Sequence, residues 1–416
     1  MINRHTFKTV GLQAMAGAAF VIGVSACATP APISVEAVHE RAIVLDAHAD
    51  IALPETSPLY LGPDGQSKVT LDKLEAGGVD AVVMSLATGP RPRNTEGRAA
   101  GAAETKEKLE TIQALVSNNA DRLILAQTAD EVRTAGENGQ IAIILGFQNA
   151  TALQRDLSQI DALFAEGVRV FGLTHLGHND FADSSRPLFI AETGTYEVTE
   201  EHGGLSDLGR GAVERISALG GLIDVSQMSK AATLEAIELS DHPVIASHSN
   251  VKQLSDVTRN LSDEEIDRIG ETGGVIHIAP FSAYLVDLSD PELLEAIRDV
   301  RVAAGLPETY SYPYELYWEL ETDEEKLTFL GNMRALVGRE DVARMVDHID
   351  YVVDRIGIDH VGIGTDFNHG GGVVGFEEAD SAQNVTAELL KRGYTPEDVE
   401  KIWGGNFLRV LRVAMR

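Results

Sequence analysis

The sequence predicts an α/β fold, a (β/α)8 barrel, on three observations. Short apolar runs rich in β-branched residues recur eight times. Each is separated from the next by enough chain for a helix, the pattern of parallel strands joined by crossovers. Polar side chains gather just after the runs, where a closed parallel barrel keeps its chemistry. Eight copies favour closure over an open doubly wound sheet, and no nucleotide-binding glycine fingerprint follows the first run.

The runs are residues 42–45, 81–86, 141–146, 168–173, 221–225, 244–246, 275–278 and 361–364. Helix-period segments between them include 99–116, 208–219, 230–239 and 263–272. The segment 283–356 exceeds one crossover and holds the aromatic residues Tyr310, Tyr312, Tyr314, Tyr317 and Trp318. It reads either as a lid or oligomer surface, such as a homodimer contact, or as an extra helical pair covering the barrel.

At 416 residues, 44% hydrophobic and 24% charged, the chain has ample material for one large domain. Lys+Arg 34 against Asp+Glu 64 leaves a net charge of -30, which argues against nucleic acid or anionic lipid as a partner of the folded surface. Residues 1–26 carry Arg4 and Lys8, then an apolar stretch and no acid, which fits an export signal. The stretch ends Val24-Ser25-Ala26-Cys27, similar to the lipobox of bacterial lipoproteins, with Cys27 as the lipidated residue. This divides the chain into a leader over 1–26, a tether over 27–34 with Pro30 and Pro32, and a barrel domain over 35–416. The expected location is the periplasmic side of a bacterial membrane. Cys27 is the only cysteine, so no internal disulfide is expected.

The rim residues carry the chemistry. His48 and Asp50 follow the first run, Gln148 and Asn149 the third, His175 the fourth, Gln227 the fifth, His248 the sixth and Asp366 the eighth. Residues two apart on a strand point to one side, so His48 and Asp50 share one ion if the strand continues through them. Three histidines and two acids converging on one rim are hard to explain as packing.

With these residues in hand, the chain resembles the membrane dipeptidase (renal dipeptidase) family of zinc peptidases, within the metal-dependent amidohydrolase-type barrels. The resemblance rests on Leu45-Asp46-Ala47-His48-Ala49-Asp50, Leu173-Thr174-His175, Gly204-Leu205-Ser206-Asp207-Leu208-Gly209-Arg210, Val244-Ile245-Ala246-Ser247-His248-Ser249, Thr258-Arg259-Asn260 and Gly364-Thr365-Asp366-Phe367. It implies hydrolysis of dipeptides by a metal-activated water, with two zinc ions bridged by a glutamate. On the matching positions it implies His48, Asp50 and Asp366 as ligands of the first ion and His248 as a ligand of the second. His175 is similar to the histidine that steadies the tetrahedral oxyanion, Arg259 to the arginine that holds the substrate carboxylate, and Asp366 also accepts the proton of the attacking water.

Two positions depart from the family's pattern. Gln148 stands where the bridging glutamate is expected, and Gln227 where a histidine ligand of the second ion is expected. A glutamine offers one neutral carbonyl oxygen, and its amide nitrogen does not ligate in its ordinary form. We therefore expect one zinc ion on His48, Asp50 and Asp366, with weak help from the Gln148 oxygen, and a second site that is empty or very weak. His178, His202 and His277 are further histidines able to substitute as ligands, or else surface or core residues. The expected function is metal-dependent hydrolysis of dipeptides or related small amides. The alternatives are an impaired member that binds a small carboxylate ligand, or an enzyme of altered chemistry.

Overall fold

The computed structural model describes residues 34–190, 193–306, 320 and 322–416. The predicted leader, the Cys27 anchor, the tether as far as Ile33 and the aromatic run from Tyr310 to Trp318 lie outside these residues. Among the described residues no helix is long and apolar enough to cross a membrane.

Eight parallel strands form the predicted barrel: β1 (Leu45–Asp50), β2 (Ala81–Ala87), β3 (Ile141–Gln148), β4 (Val168–Gly172), β5 (Leu222–Asp224), β6 (Ile245–Ala246), β7 (Val275–Ile278) and β8 (Val361–Ile363). They pair in sequence order, and the seam between β1 and β8 closes beyond the end of β8, where Asp50 N donates to Phe367 O at 2.9 Å and Asp366 N to His48 O at 2.8 Å. A short strand missed from the sequence, Leu123–Leu125, pairs with the flank of β3. Three residues are too brief a run to register as an alternating pattern.

Along most of the strands neighbouring residues enter different clusters, as the two-residue repeat requires. Leu45, Ala81, Val83, Ala142, Ile144, Val170, Leu222, Ile245 and Val275 form the inner layer, closed by Phe407, Leu408 and Leu411 of the C-terminal helix Asn406–Ala414. Val82, Met84, Ile143, Leu145, Ile223 and Ile276 pack outward, with Ile112, Val213, Ile216, Ile266 and Ile349 of the crossover helices. Those helices start at serine caps. Ser206 Oγ accepts from Gly209 N at 3.1 Å ahead of Asp207–Leu219, and Ser229 Oγ from Ala232 N at 3.2 Å ahead of Lys230–Leu239.

β1 corrects the expectation that the first strand ends at Leu45. It runs through His48 and Asp50, and an extra residue between Asp46 and Ala49 shifts its register against β2. Leu45 pairs with Ala81 and Asp50 with Ser85, so two residues five apart share the inner face. The bulge thus turns the expected ligand pair, His48 and Asp50, inward above the apolar layer.

The long segment before β8 holds helices Pro291–Ala303 and Asp323–Val337, packed against each other over Ile297, Phe329, Leu330 and Met333. Of the two readings, the helical pair is what the described residues form. Its cluster includes Phe281, Tyr284 and Val257 from the barrel loops.

Two histidines are sealed in this scaffold. His277 holds the Ala246 carbonyl at 2.8 Å through Nδ1 and lies edge-on to Phe407, and burial pushes its pKa down to about 4. His348 accepts Val251 N at 3.1 Å, and burial pushes it down to about 3. Both rings are neutral in the fold and take a proton once unfolded, so their stability is whole above about pH 6.5 and falls as pH drops toward 4. Each is expected to contribute a slope of about 1.4 kcal/mol per pH unit in that window. Urea midpoints of the natural chain and His348→Gln between pH 6.5 and 4.5 check this; parallel pH profiles would refute it.

Candidate metal centre

The strand ends deliver the predicted residues to one place. His48, His248 and Asp366 are buried, and each offers a ligand atom within 4.8 Å of the others. This places His248, which the resemblance set on a second ion, beside His48 and Asp366. The two imidazoles stack at 3.9 Å between centroids. Asp50 joins through Oδ1, 3.7 Å from His48 Nε2. Gly364 lets the end of β8 come this close, because a Cβ there would lie 1.8 Å from Ser247 O.

The backbone is strained where it delivers these groups. Asn149, Gln227 and Asp366, just beyond β3, β5 and β8, have φ of 85°, 68° and 54°. Left-handed non-glycine residues cost free energy and cluster at functional sites.

The hydrogen bonds orient the rings for a cation. Ser247 Oγ donates to Asp224 Oδ2 at 2.5 Å and lies 2.8 Å from His248 Nδ1 and 3.3 Å from His48 Nδ1. With its proton committed to the carboxylate, the hydroxyl accepts from both rings, which leaves each Nε2 as a lone pair. His48 Nε2 and Asp50 Oδ1 are both buried, without a hydrogen-bond partner among the described residues. Two acceptors sealed 3.7 Å apart fit a divalent cation, and a His/Asp donor set suits zinc.

A residue missed from the sequence completes the arrangement. His369 Nδ1 donates to Asp50 Oδ2 at 2.8 Å, and its ring stands edge-on to His175 at 4.8 Å. Burial opposes charge on both partners, yet their mutual contact prevails: His369 is raised above the ordinary histidine value and Asp50 held below the usual carboxylate range. No spacing announces His369, since the left-handed residues Asp366 and Asn368 fold the turn back to bring it onto Asp50. Because such outer partners typically tune metal affinity 10–100-fold, His369→Ala is expected to raise the zinc dissociation constant by about that factor. Competition against a zinc-chelating dye checks it, and an unchanged constant refutes it.

His175 is buried, and burial, then the charges of His369, Arg186 and Lys108, drive its pKa well down, so it offers a neutral N–H. Arg259 is fastened to the loop after β6, with Nη1 to Ser249 Oγ at 2.9 Å, Nη2 to the His248 carbonyl and its guanidinium 5.1 Å from the Tyr284 ring centroid. Its Nε is buried without a partner among the described residues, a donor awaiting an acceptor. Burial raises Asp366 against the opposing charges of His369 and His48.

Gln148 is buried, with its amide nitrogen unpartnered among the described residues. Gln227 Oε1 accepts from Arg186 Nη2 at 3.0 Å, and its Nε2 faces His248 Nε2 at 3.2 Å. None of the three spare histidines joins the cluster. His178 is engaged by Ser184 N and the Val198 carbonyl, His202 by the Asn179 carbonyl, and His277 lies below, in the barrel layer.

A (β/α)8 barrel with a buried His/Asp cluster at its strand ends places the chain among the amidohydrolase-type barrels. The chain belongs to the membrane dipeptidase family (Peptidase family M19), whose model matches residues 33–416. It is similar to "Dipeptidase tcpJ" of Claviceps purpurea (strain 20.1), 30% identical over 313 residues, 74% of this chain and 59% of that protein. The probable dipeptidase PvdM from Pseudomonas aeruginosa superposes with a TM-score of 0.80 at 34% identity, covering 92% of this chain and 97% of that one. A metallopeptidase from Rhodobacter sphaeroides, solved with a phosphinate mimic of L-Ala-D-Ala, shares the fold at 20% identity and a TM-score of 0.67, over 89% of this chain and 99% of that one. The chain spans 59% and 64% of the length of the first two curated relatives it matches.

Proposed function

We propose that this chain hydrolyses dipeptides or related small amides bearing a free carboxylate, with a single zinc ion held by His48, Asp50 and Asp366. The observation that carries this is the pair of sealed acceptors His48 Nε2 and Asp50 Oδ1, unpartnered among the described residues, with an Asp366 ligand atom within 4.8 Å of one on His48. A divalent cation there supplies Lewis acidity, polarising a carbonyl and making water more acidic. Asp366 accepts the proton of the attacking water and returns it to the leaving amine. His175 donates its N–H to the developing oxyanion, a contribution of roughly 3–4 kcal/mol for one donor in comparable sites. Arg259 holds the substrate carboxylate, and its burial in a protein of net charge -30 gives an anion one fixed point of attraction.

The single ion follows from Gln148 and Gln227. Neutral amides do not screen two cations from each other, and neither supplies the imidazole nitrogen that zinc favours. The same residues favour a second reading, in which the pocket binds a small carboxylate without turning it over.

Release of amino acids from a panel of L,L and L,D dipeptides, with zinc and then with chelator, tests the proposal. Turnover abolished by chelator supports hydrolysis. No turnover, with carboxylate binding that depends on Arg259, supports the second reading. The lipobox-like Val24-Ser25-Ala26-Cys27 further supports an exported, lipid-anchored protein; palmitate labelling lost in Cys27→Ser is the expected result.

A further inference from the structure

The cluster has a neighbour that the sequence motifs leave unexplained, the guanidinium of Arg186, 4% exposed. The chain around it is fastened to the site. Ser184 Oγ donates to the His175 carbonyl at 2.6 Å and accepts from Arg186 N at 3.1 Å. Ser185 donates to the Gln227 carbonyl through N at 2.9 Å and Oγ at 3.2 Å.

From this anchor Arg186 Nη2 reaches Gln227 Oε1 at 3.0 Å. A guanidinium only donates, so the Gln227 atom that faces it is the carbonyl oxygen and the amide nitrogen faces His248 Nε2. His248 Nδ1 donates to Ser247 Oγ, so its Nε2 is free to accept that N–H. Turning the Gln227 amide over would set oxygen against the imidazole lone pair and N–H against the guanidinium, two repulsions in a buried place. The backbone of Gln227 is itself fixed in a left-handed conformation.

We propose that Arg186 is a positioning residue that confines this centre to one divalent cation. It turns the only ligating atom of Gln227 away from His248 and engages His248 Nε2 through the amide. This inference rests on the single-ion reading above and explains how it is enforced. It also predicts that rebuilding the two altered positions is not enough, because the guanidinium remains beside position 227 as a fixed buried positive charge that repels a second cation.

Zinc per chain, measured on full-length protein by mass spectrometry of the intact complex and by elemental assay, is the readout. One ion is expected in the natural chain and in Gln148→Glu/Gln227→His. Two are expected when Arg186→Met is added to that pair. The first ion, retained throughout, reports that the pocket has folded, and Arg186→Gln replaces Arg186→Met if the latter does not fold. Two ions in the natural chain overturn the single-ion reading itself. Two in the double variant with Arg186 in place, or one in the folded triple variant, overturn the role of Arg186 and leave that reading standing.

Discussion

Asp366→Asn is expected to lower kcat of the proposed dipeptide hydrolysis by about 10²–10⁴-fold, the usual worth of a positioned general base. The substitution is unusually clean here. Asp366 sits at φ 54°, a conformation that asparagine tolerates better than most residues, and its amide donates to the His48 carbonyl at 2.8 Å whichever side chain follows. The barrel seam therefore survives while the carboxylate is lost. Zinc content separates the two roles proposed for the residue. A variant that keeps its zinc and loses kcat has lost the proton acceptor, whereas one that loses both has lost a ligand. Activity within threefold of the natural chain, at unchanged zinc content, would remove Asp366 from the chemistry altogether.

Much of this site was legible because a parallel barrel concentrates its chemistry at strand ends, so reading past each apolar run found His48, Asp50, His175, Gln227, His248 and Asp366 without knowledge of loops. The limits of that reading are physical. β1 continues through Asp50 because its backbone pairs with Phe367, a partner more than 300 residues away that no local pattern reveals. His369 reaches Asp50 through a turn of two left-handed residues, and Lys108 reaches the Ala87 carbonyl from within the long helix Thr95–Asn118. Such groups approach the site from outside the strands. Arg186 was invisible for the same reason, although Gln227, which it holds, stood out as a departure. The hydrogen bond from Arg186 adds what the departure lacked, an account of which way the amide faces.

Arg259→Met is expected to lower kcat/KM for dipeptides by about 30-fold to several-thousand-fold, the equivalent of the roughly 2–5 kcal/mol lost when one partner of a buried hydrogen-bonded charge pair is truncated. The guanidinium spends one donor on Ser249 and one on the His248 carbonyl, and its buried Nε–H has no partner among the described residues. Those two bonds hold the plane in place before any substrate arrives, so little side-chain entropy remains to be lost on binding. Arg259→Lys keeps the charge but not the planar fork and is expected to recover only part of the loss. The decisive comparison is a dipeptide against its C-terminal amide. The natural chain should favour the free acid strongly and the methionine variant should treat the two alike, because only the acid offers the charge that Arg259 answers. A variant that still prefers the acid to the same degree would move carboxylate recognition elsewhere, with Lys108 and Arg186 as the other buried cations near the cluster.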